Sequence, residues 1–147
     1  LPLSAVLTTD DIFGAFYADD VARGFLHSHS YTGNALACRA ALAVLDIFRD
    51  DDVIERNRAK AARWAQLAQP LARDARVRQL RQCGMIVAFD VATERDDFAR
   101  WCFEQALERE LLLRPIGRTV YFMPPYIVTD DEFALLVERM VSIVDSA

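Results

Sequence analysis

Two stretches of the chain gather side chains that can bind a ligand or act on one. The first is His27-Ser28-His29-Ser30-Tyr31-Thr32-Gly33-Asn34. It crowds hydroxyl and imidazole groups just before a run that reads as a helix, with Asn34 as its N-cap. A helix start offers unpaired N–H groups and a partial positive field, so it can hold a phosphate. Ser30 and Thr32 add hydroxyl donors. A polar, capped loop without a ligand has the same composition, because Ser, Thr, Gly and Asn are also ordinary turn residues. The second stretch is Leu113-Arg114-Pro115-Ile116-Gly117-Arg118-Thr119-Val120-Tyr121-Phe122-Met123-Pro124-Pro125-Tyr126-Ile127. Arg114 follows three leucines and precedes a proline. A guanidinium there can clamp a carboxylate through two parallel hydrogen bonds, or pair with one of the chain's many acids. Tyr121 alternates with Val120 and Phe122, which suits either a pocket wall or a core. Pro124 and Pro125 fix an extended backbone before Tyr126.

Other chemistries lack parts. His27 and His29 would share a face of an extended segment, but no third ligand at recognisable metal spacing accompanies them. No Ser-His-Asp or Cys-His arrangement is present. Lys60 is the only lysine. Arg58, Ala59, Ala61 and Ala62 around it suggest an amphipathic helix with the ammonium in solvent, whereas a cofactor-bonding lysine needs a desolvated pocket.

The elements that must position these residues follow from periodicity. Residues 3–8 suit a short buried strand, and Thr9-Asp10-Asp11 caps a short helix carrying Ile12, Phe13 and Phe16. Residues 18–33 read as loop. From Asn34 onward Leu36, Ala40, Val44, Leu45 and Phe48 keep a helical period. The triple aspartate at 50–52 ends that helix and opens the next, whose stripe is Ile54, Ala61, Trp64, Ala68 and Leu71. Residues 77–92 change to a strand period, with Gly84 marking a bulge or a close approach. Residues 96–109 return to helix. Leu111–Leu113 and Thr119–Met123 read as two strands about a turn at Pro115-Ile116-Gly117. Thr129 and Glu132 form a capping box for a last helix bearing Phe133, Leu136, Val137, Met140, Val141 and Val144. From residue 76 on, this order predicts an α+β layer, with helices on one face of a mostly antiparallel sheet. A domain boundary falls in the long helix near 34–50.

Composition excludes several classes. The 147 residues carry a net charge of -5, and acids run among the arginines, which disfavours nucleic acid as a partner. The three cysteines, Cys38, Cys83 and Cys102, lack zinc or disulfide spacing and predict free thiols in a reducing cytoplasm. No apolar run is long enough to span a bilayer.

The run from His27 to Cys38 resembles the His-Gly-x-Thr-Tyr/Phe-x-Gly-Asn-Pro-Leu-Ala-Cys stretch of class III pyridoxal-phosphate aminotransferases. Residues 114–127 resemble a pattern, Arg-Pro-Phe/Ile-Gly-x-x-x-Tyr-x-Met-Pro-Pro-Tyr-Ile, found in that family's biotin-pathway branch. The resemblance implies an α/β fold: the C-terminal portion of an aspartate-aminotransferase-like enzyme. Residues 1–45 would be the tail of its large cofactor-binding domain and the connecting helix, and 46–147 its small α+β domain. It implies pyridoxal 5'-phosphate as cofactor, 8-amino-7-oxononanoate as the amino acceptor, and S-adenosylmethionine as the usual amino donor, in whose place some relatives with a similar His-Ser-Tyr-Thr-Gly-Asn stretch use lysine. His29 and Ser30 match the pair that binds the cofactor phosphate of the neighbouring subunit, so the intact protein is expected to be a homodimer. Ser28 stands where many relatives have a glycine lining the substrate site. Arg114 matches the arginine that holds the substrate carboxylate, and Tyr121 a tyrosine of the same pocket. The family's cofactor-bonding lysine falls just upstream of Leu1, so no catalytic residue is expected in this chain, which alone would be inactive. Ser28 for glycine, Ser30 for threonine and Ala35 for proline are departures that leave the match intact.

Two other readings use the same residues. One is a class III enzyme acting on an ω-amino acid or diamine. The other is a non-catalytic α+β binding domain, which explains the lack of a reactive lysine but not why both segments occur together.

Overall fold

The computed structural model describes all 147 residues, and they divide into two compact units, Leu1–Asp52 and Val53–Ala147. In the first unit, helix α1 spans Asp10–Phe16, with Asp10 and Asp11 in its first turn, where acids favour a helix start. A single 3-10 turn follows at Val21–Arg23. Helix α2 spans Ala35–Asp50, and the Asn34 carboxamide oxygen accepts from Ala37 N–H at 3.1 Å, the expected N-cap. It ends at the triple aspartate, where Asp51 caps and Asp52 takes a left-handed φ of 51°. Residues 3–8 do not form the expected strand. A strand needs a ladder partner, and the molecule's one sheet is made entirely from the second unit. The periodic stripe of α2 is real but uncovered: Ala37 alone is buried, while Leu36, Val44 and Leu45 stay exposed.

In the second unit, α3 spans Val53–Leu67 and α4 Gln69–Arg73. Strands β1 (Val77–Cys83) and β2 (Ile86–Val91) form an antiparallel hairpin. The single strand expected over 77–92 is therefore two. Cys83 pairs with Ile86, leaving Gly84 and Met85 as the loop, and Gly84 has φ +55°. A two-residue hairpin loop favours glycine at its first position for that conformation. Helix α5 covers Phe98–Glu108, and β3, Thr119–Phe122, pairs antiparallel with β2. Leu111–Leu113 gain no ladder partners of their own; Leu113 is buried and Leu112 exposed. Helix α6 spans Asp130–Asp145 with its capping box intact: Glu132 N–H donates to Thr129 Oγ1 at 3.2 Å, and Thr129 N–H to Glu132 Oε2 at 2.7 Å.

The sheet order is β1-β2-β3, and it is amphipathic by alternation. Val87, Phe89, Val91, Val120 and Phe122 are buried against the helices, so these cover one face as expected. The helical side of the core is built on Trp64, Leu71, Phe98, Phe133 and Met140. Trp64 and Phe133 stack with centroids 4.1 Å apart and planes 5° apart. The open face carries Arg81, Ala88 and Tyr121 in one cross-strand row, with Asp90 and Thr119 beside them. There the Thr119 hydroxyl donates to Asp90 at 2.7 Å, and that bond, then Arg81, holds the Asp90 carboxyl below the usual range.

Candidate functional site

The polar stretch of the first unit is a tight turn poised on α2. His29 N–H donates to Thr32 Oγ1 at 3.0 Å, and Thr32 N–H returns to the His29 carbonyl at 2.9 Å. Asn34 N–H donates to the Tyr31 carbonyl at 3.0 Å, with Gly33 at φ +71° between them. This internal bonding fixes the turn and engages the backbone N–H groups of His29 and Thr32. The Ser30 N–H and hydroxyl, by contrast, have no partner within the chain and stand exposed at the head of the turn. Ser28 is exposed next to them, and the His27 and His29 rings meet edge to face at 5.2 Å. A group with several anionic oxygens fits these free donors beside a capped helix start. No cluster of three or more His, Cys, Asp or Glu suits a metal ion.

In the second unit, Arg114 and Tyr121 flank one tight turn. Ile116 and Thr119 exchange N–H···O bonds of 2.9 Å each, closing a two-residue loop in which Gly117 has φ +57°. The ladder stops at that bridge; Arg114 lies two residues before it in sequence and Tyr121 two residues after it, paired with Ala88 of β2. Arg114 is exposed and forms no ion pair or hydrogen bond, so the salt bridge open to it on sequence grounds is not made. Tyr121 lies on the open face of the sheet, half-buried, rather than in the core. The two residues thus bracket one turn. His29, Ser28 and Ser30 belong to the other unit.

Lys60 does not stand in solvent as its neighbours suggest. Its ammonium donates to the Tyr126 and Val128 carbonyls, each at 2.7 Å, and lies 5.8 Å from the Trp64 ring centroid. One turn on, Arg63 Nε and Trp64 Nε1 donate to the two oxygens of Asp130 at 2.7 and 2.9 Å. Arg63 first, then Trp64, hold the Asp130 carboxyl below its ordinary range. Sequence reasoning misses this clasp because Lys60 binds backbone carbonyls, which carry no residue signature. Cys102 is inert for a plain reason: burial pushes its thiol up to about 11. Against α3, residues Asn57, Ala61, Gln82, Gly84, Met85 and Tyr126 help to line an open cleft of about 560 Å³.

The class-III aminotransferase family profile matches residues 1–144. The adenosylmethionine-8-amino-7-oxononanoate aminotransferase of Helicobacter pylori is 44% identical, over 99% of this chain and 35% of its own length. The crystal structure of the enzyme so named from Methanocaldococcus jannaschii superposes with a TM-score of 0.82 at 28% identity, over 95% of this chain and 34% of that one. An amine transaminase from an uncultivated Pseudomonas species, solved in its PLP-bound form, gives a TM-score of 0.74 at 28% identity, over 87% of this chain and 31% of that one. The chain therefore spans about a third of the length of the curated relative and the solved structures it matches. The expected fold is the one found, and residues 1–144 leave almost nothing of the chain outside the match: it belongs to the class III aminotransferase family.

Proposed function

We propose that this chain supplies the phosphate-binding turn and the carboxylate-binding hairpin of an aminotransferase that converts 8-amino-7-oxononanoate to 7,8-diaminononanoate, with S-adenosylmethionine as amino donor. The observation that carries this reading is Arg114: an exposed, unpaired guanidinium set across a tight turn from Tyr121, in the segment that ends Met123-Pro124-Pro125-Tyr126. A free guanidinium binds and orients a carboxylate, which the keto acid presents at the end of its chain. Pyridoxal 5'-phosphate, when bound, carries the amino group between donor and acceptor and acts as the electron sink. The Ser30 hydroxyl and N–H would hold its phosphate, while His29 shapes the turn through its bond to Thr32. Ser28 sits beside that turn and would line the substrate pocket. Lys60 is committed to two carbonyls, so the amine that bonds the cofactor comes from outside these 147 residues.

Residues 1–52 expose Leu3, Phe13, Phe16, Phe25, Leu36 and Leu45, a load of apolar surface that suits the edge of a larger cofactor-binding domain. Residues from the end of α2 onward would form the small domain. The working enzyme is a homodimer in this reading, with the Ser30 turn serving the partner's cofactor. Cys38 and Cys83 are exposed free thiols, which suits the cytoplasm. No helix is long and apolar enough to cross a membrane.

A panel of acceptors and donors tests the proposal on the full-length enzyme. It should aminate 8-amino-7-oxononanoate and use S-adenosylmethionine far better than simple ω-amines or diamines. Efficient turnover of ω-amines with no diaminononanoate formed would assign the chain to a different branch of the family. Binding of cofactor with no amino transfer to any acceptor would favour a non-catalytic domain.

A further inference from the structure

The lone lysine has a geometry that invites a role. Its ammonium sits at 2.7 Å from both the Tyr126 and Val128 carbonyls, bridging α3 to a segment more than sixty residues away in sequence. Val128 N–H returns to the Pro125 carbonyl at 3.1 Å, so residues 125–128 form a closed loop with Lys60 at its mouth. Upstream, Pro124 and Pro125 make a stiff connection to β3. At its far end β3 enters the Gly117 turn, beyond which stands Arg114. The arm that carries Tyr121 is thus bounded by the turn, held along β2 as far as Phe122, and continued through Pro124 and Pro125 to the lysine.

We propose that Lys60 is a positioning residue for the carboxylate site: it sets the segment from Met123 to Val128, which continues the strand that carries Tyr121. The inference rests on the functional reading above. Lys60 touches no substrate and moves no proton. It supplies two charge-assisted donors to the Tyr126 and Val128 carbonyls, and its ammonium lies 5.8 Å from the ring centroid of Trp64, whose indole is tied to Asp130. Arg63 offers a built-in comparison. It joins α3 to α6 through Asp130, one turn away, and makes no hydrogen bond or ion pair with residues 121–128.

The test uses the full-length enzyme and the variants Lys60→Met, Lys60→Arg and Arg63→Met. Lys60→Met should raise KM for 8-amino-7-oxononanoate about tenfold, roughly the worth of one charge-assisted bond, with kcat at saturation nearly unchanged. Lys60→Arg, which keeps donors for both carbonyls, should recover most of that loss. Arg63→Met should leave KM at the parent value even though it also loosens α3 from α6. Hydrogen exchange should rise in the peptide covering residues 123–128 for Lys60→Met and not for Arg63→Met. If Lys60→Met does not fold, Lys60→Gln takes its place under the same criterion. A parent-like KM in the Met or Gln variant overturns the inference, as does an equal rise in Arg63→Met. A parent enzyme that binds cofactor but never aminates the keto acid sinks the functional reading itself, which is a separate result.

Discussion

Arg114→Ala in the full-length enzyme should raise KM for the proposed keto acid by about 10- to 100-fold, the loss expected when a charged hydrogen-bond partner is removed from a carboxylate, about 1.5–3 kcal/mol. Folding should barely change. The side chain is exposed and has no partner within the chain, and substitutions at such positions stay within about 0.5 kcal/mol. Arg114→Lys should recover only part of the affinity, because an ammonium offers a point charge where a guanidinium offers a planar fork. The check is a set of initial rates against keto-acid concentration, paired with a melting curve for each variant. A KM equal to the parent's would remove Arg114 from the substrate site. A large fall in melting temperature would mean the residue is structural after all.

The second large effect lies in the core. Trp64 is fully buried, stacks on Phe133 at 4.1 Å and donates its indole N–H to Asp130 at 2.9 Å. Trp64→Ala removes the ring, opens a cavity between α3 and α6, and leaves Asp130 with Arg63 alone. The destabilisation should be about 3–5 kcal/mol, the usual range for deleting a buried aromatic side chain. Trp64→Phe separates the two contributions. It keeps a ring against Phe133 and gives up the hydrogen bond, so it should cost about 1 kcal/mol for the lost bond plus a smaller packing loss. Urea unfolding of the full-length enzyme, followed by a probe in this domain, measures both. A shift below about 1 kcal/mol for Trp64→Ala would contradict the placement of this ring at the centre of the core.

Local signals were the legible ones. Thr129 and Glu132 sit three residues apart before an apolar helix, and that spacing is enough to set the start of α6. Asn34 caps α2 for the same reason, and three aspartates in a row end it. The hairpin was harder. The alternation of Met85, Val87, Phe89 and Val91 shows β2 clearly, but β1 follows no such pattern: its register slips between Arg78 and Arg81, with Gln79 at a left-handed φ of 50°. A bulge resets the side-chain alternation, so the strand's own sequence hides it. The expected strand at 3–8 failed for the opposite reason. Its residues have the pattern, but a strand is made by its neighbour, and the unit that holds these residues has none to offer.

The site divides in the same way. The residue types at Ser30, Arg114 and Tyr121 were readable from their settings, but which donors remain free was not. Only the turn geometry shows that Thr32 takes up the His29 N–H while Ser30 keeps its own. The neighbours of Lys60 suggest a solvated helix residue, whereas its acceptors are main-chain carbonyls more than sixty residues away. Neither a period nor a motif can report such a contact.

The most direct test of the central claim, that this chain recognises phosphate and carboxylate while another segment provides the reactive amine, is borohydride reduction of the full-length enzyme loaded with pyridoxal phosphate, followed by peptide mass mapping. One stoichiometric cofactor adduct per subunit, on a lysine outside these 147 residues, is the predicted result. An adduct on Lys60 would place the reacting centre on α3 and contradict both its role as a backbone tie and the assignment of the carboxylate site.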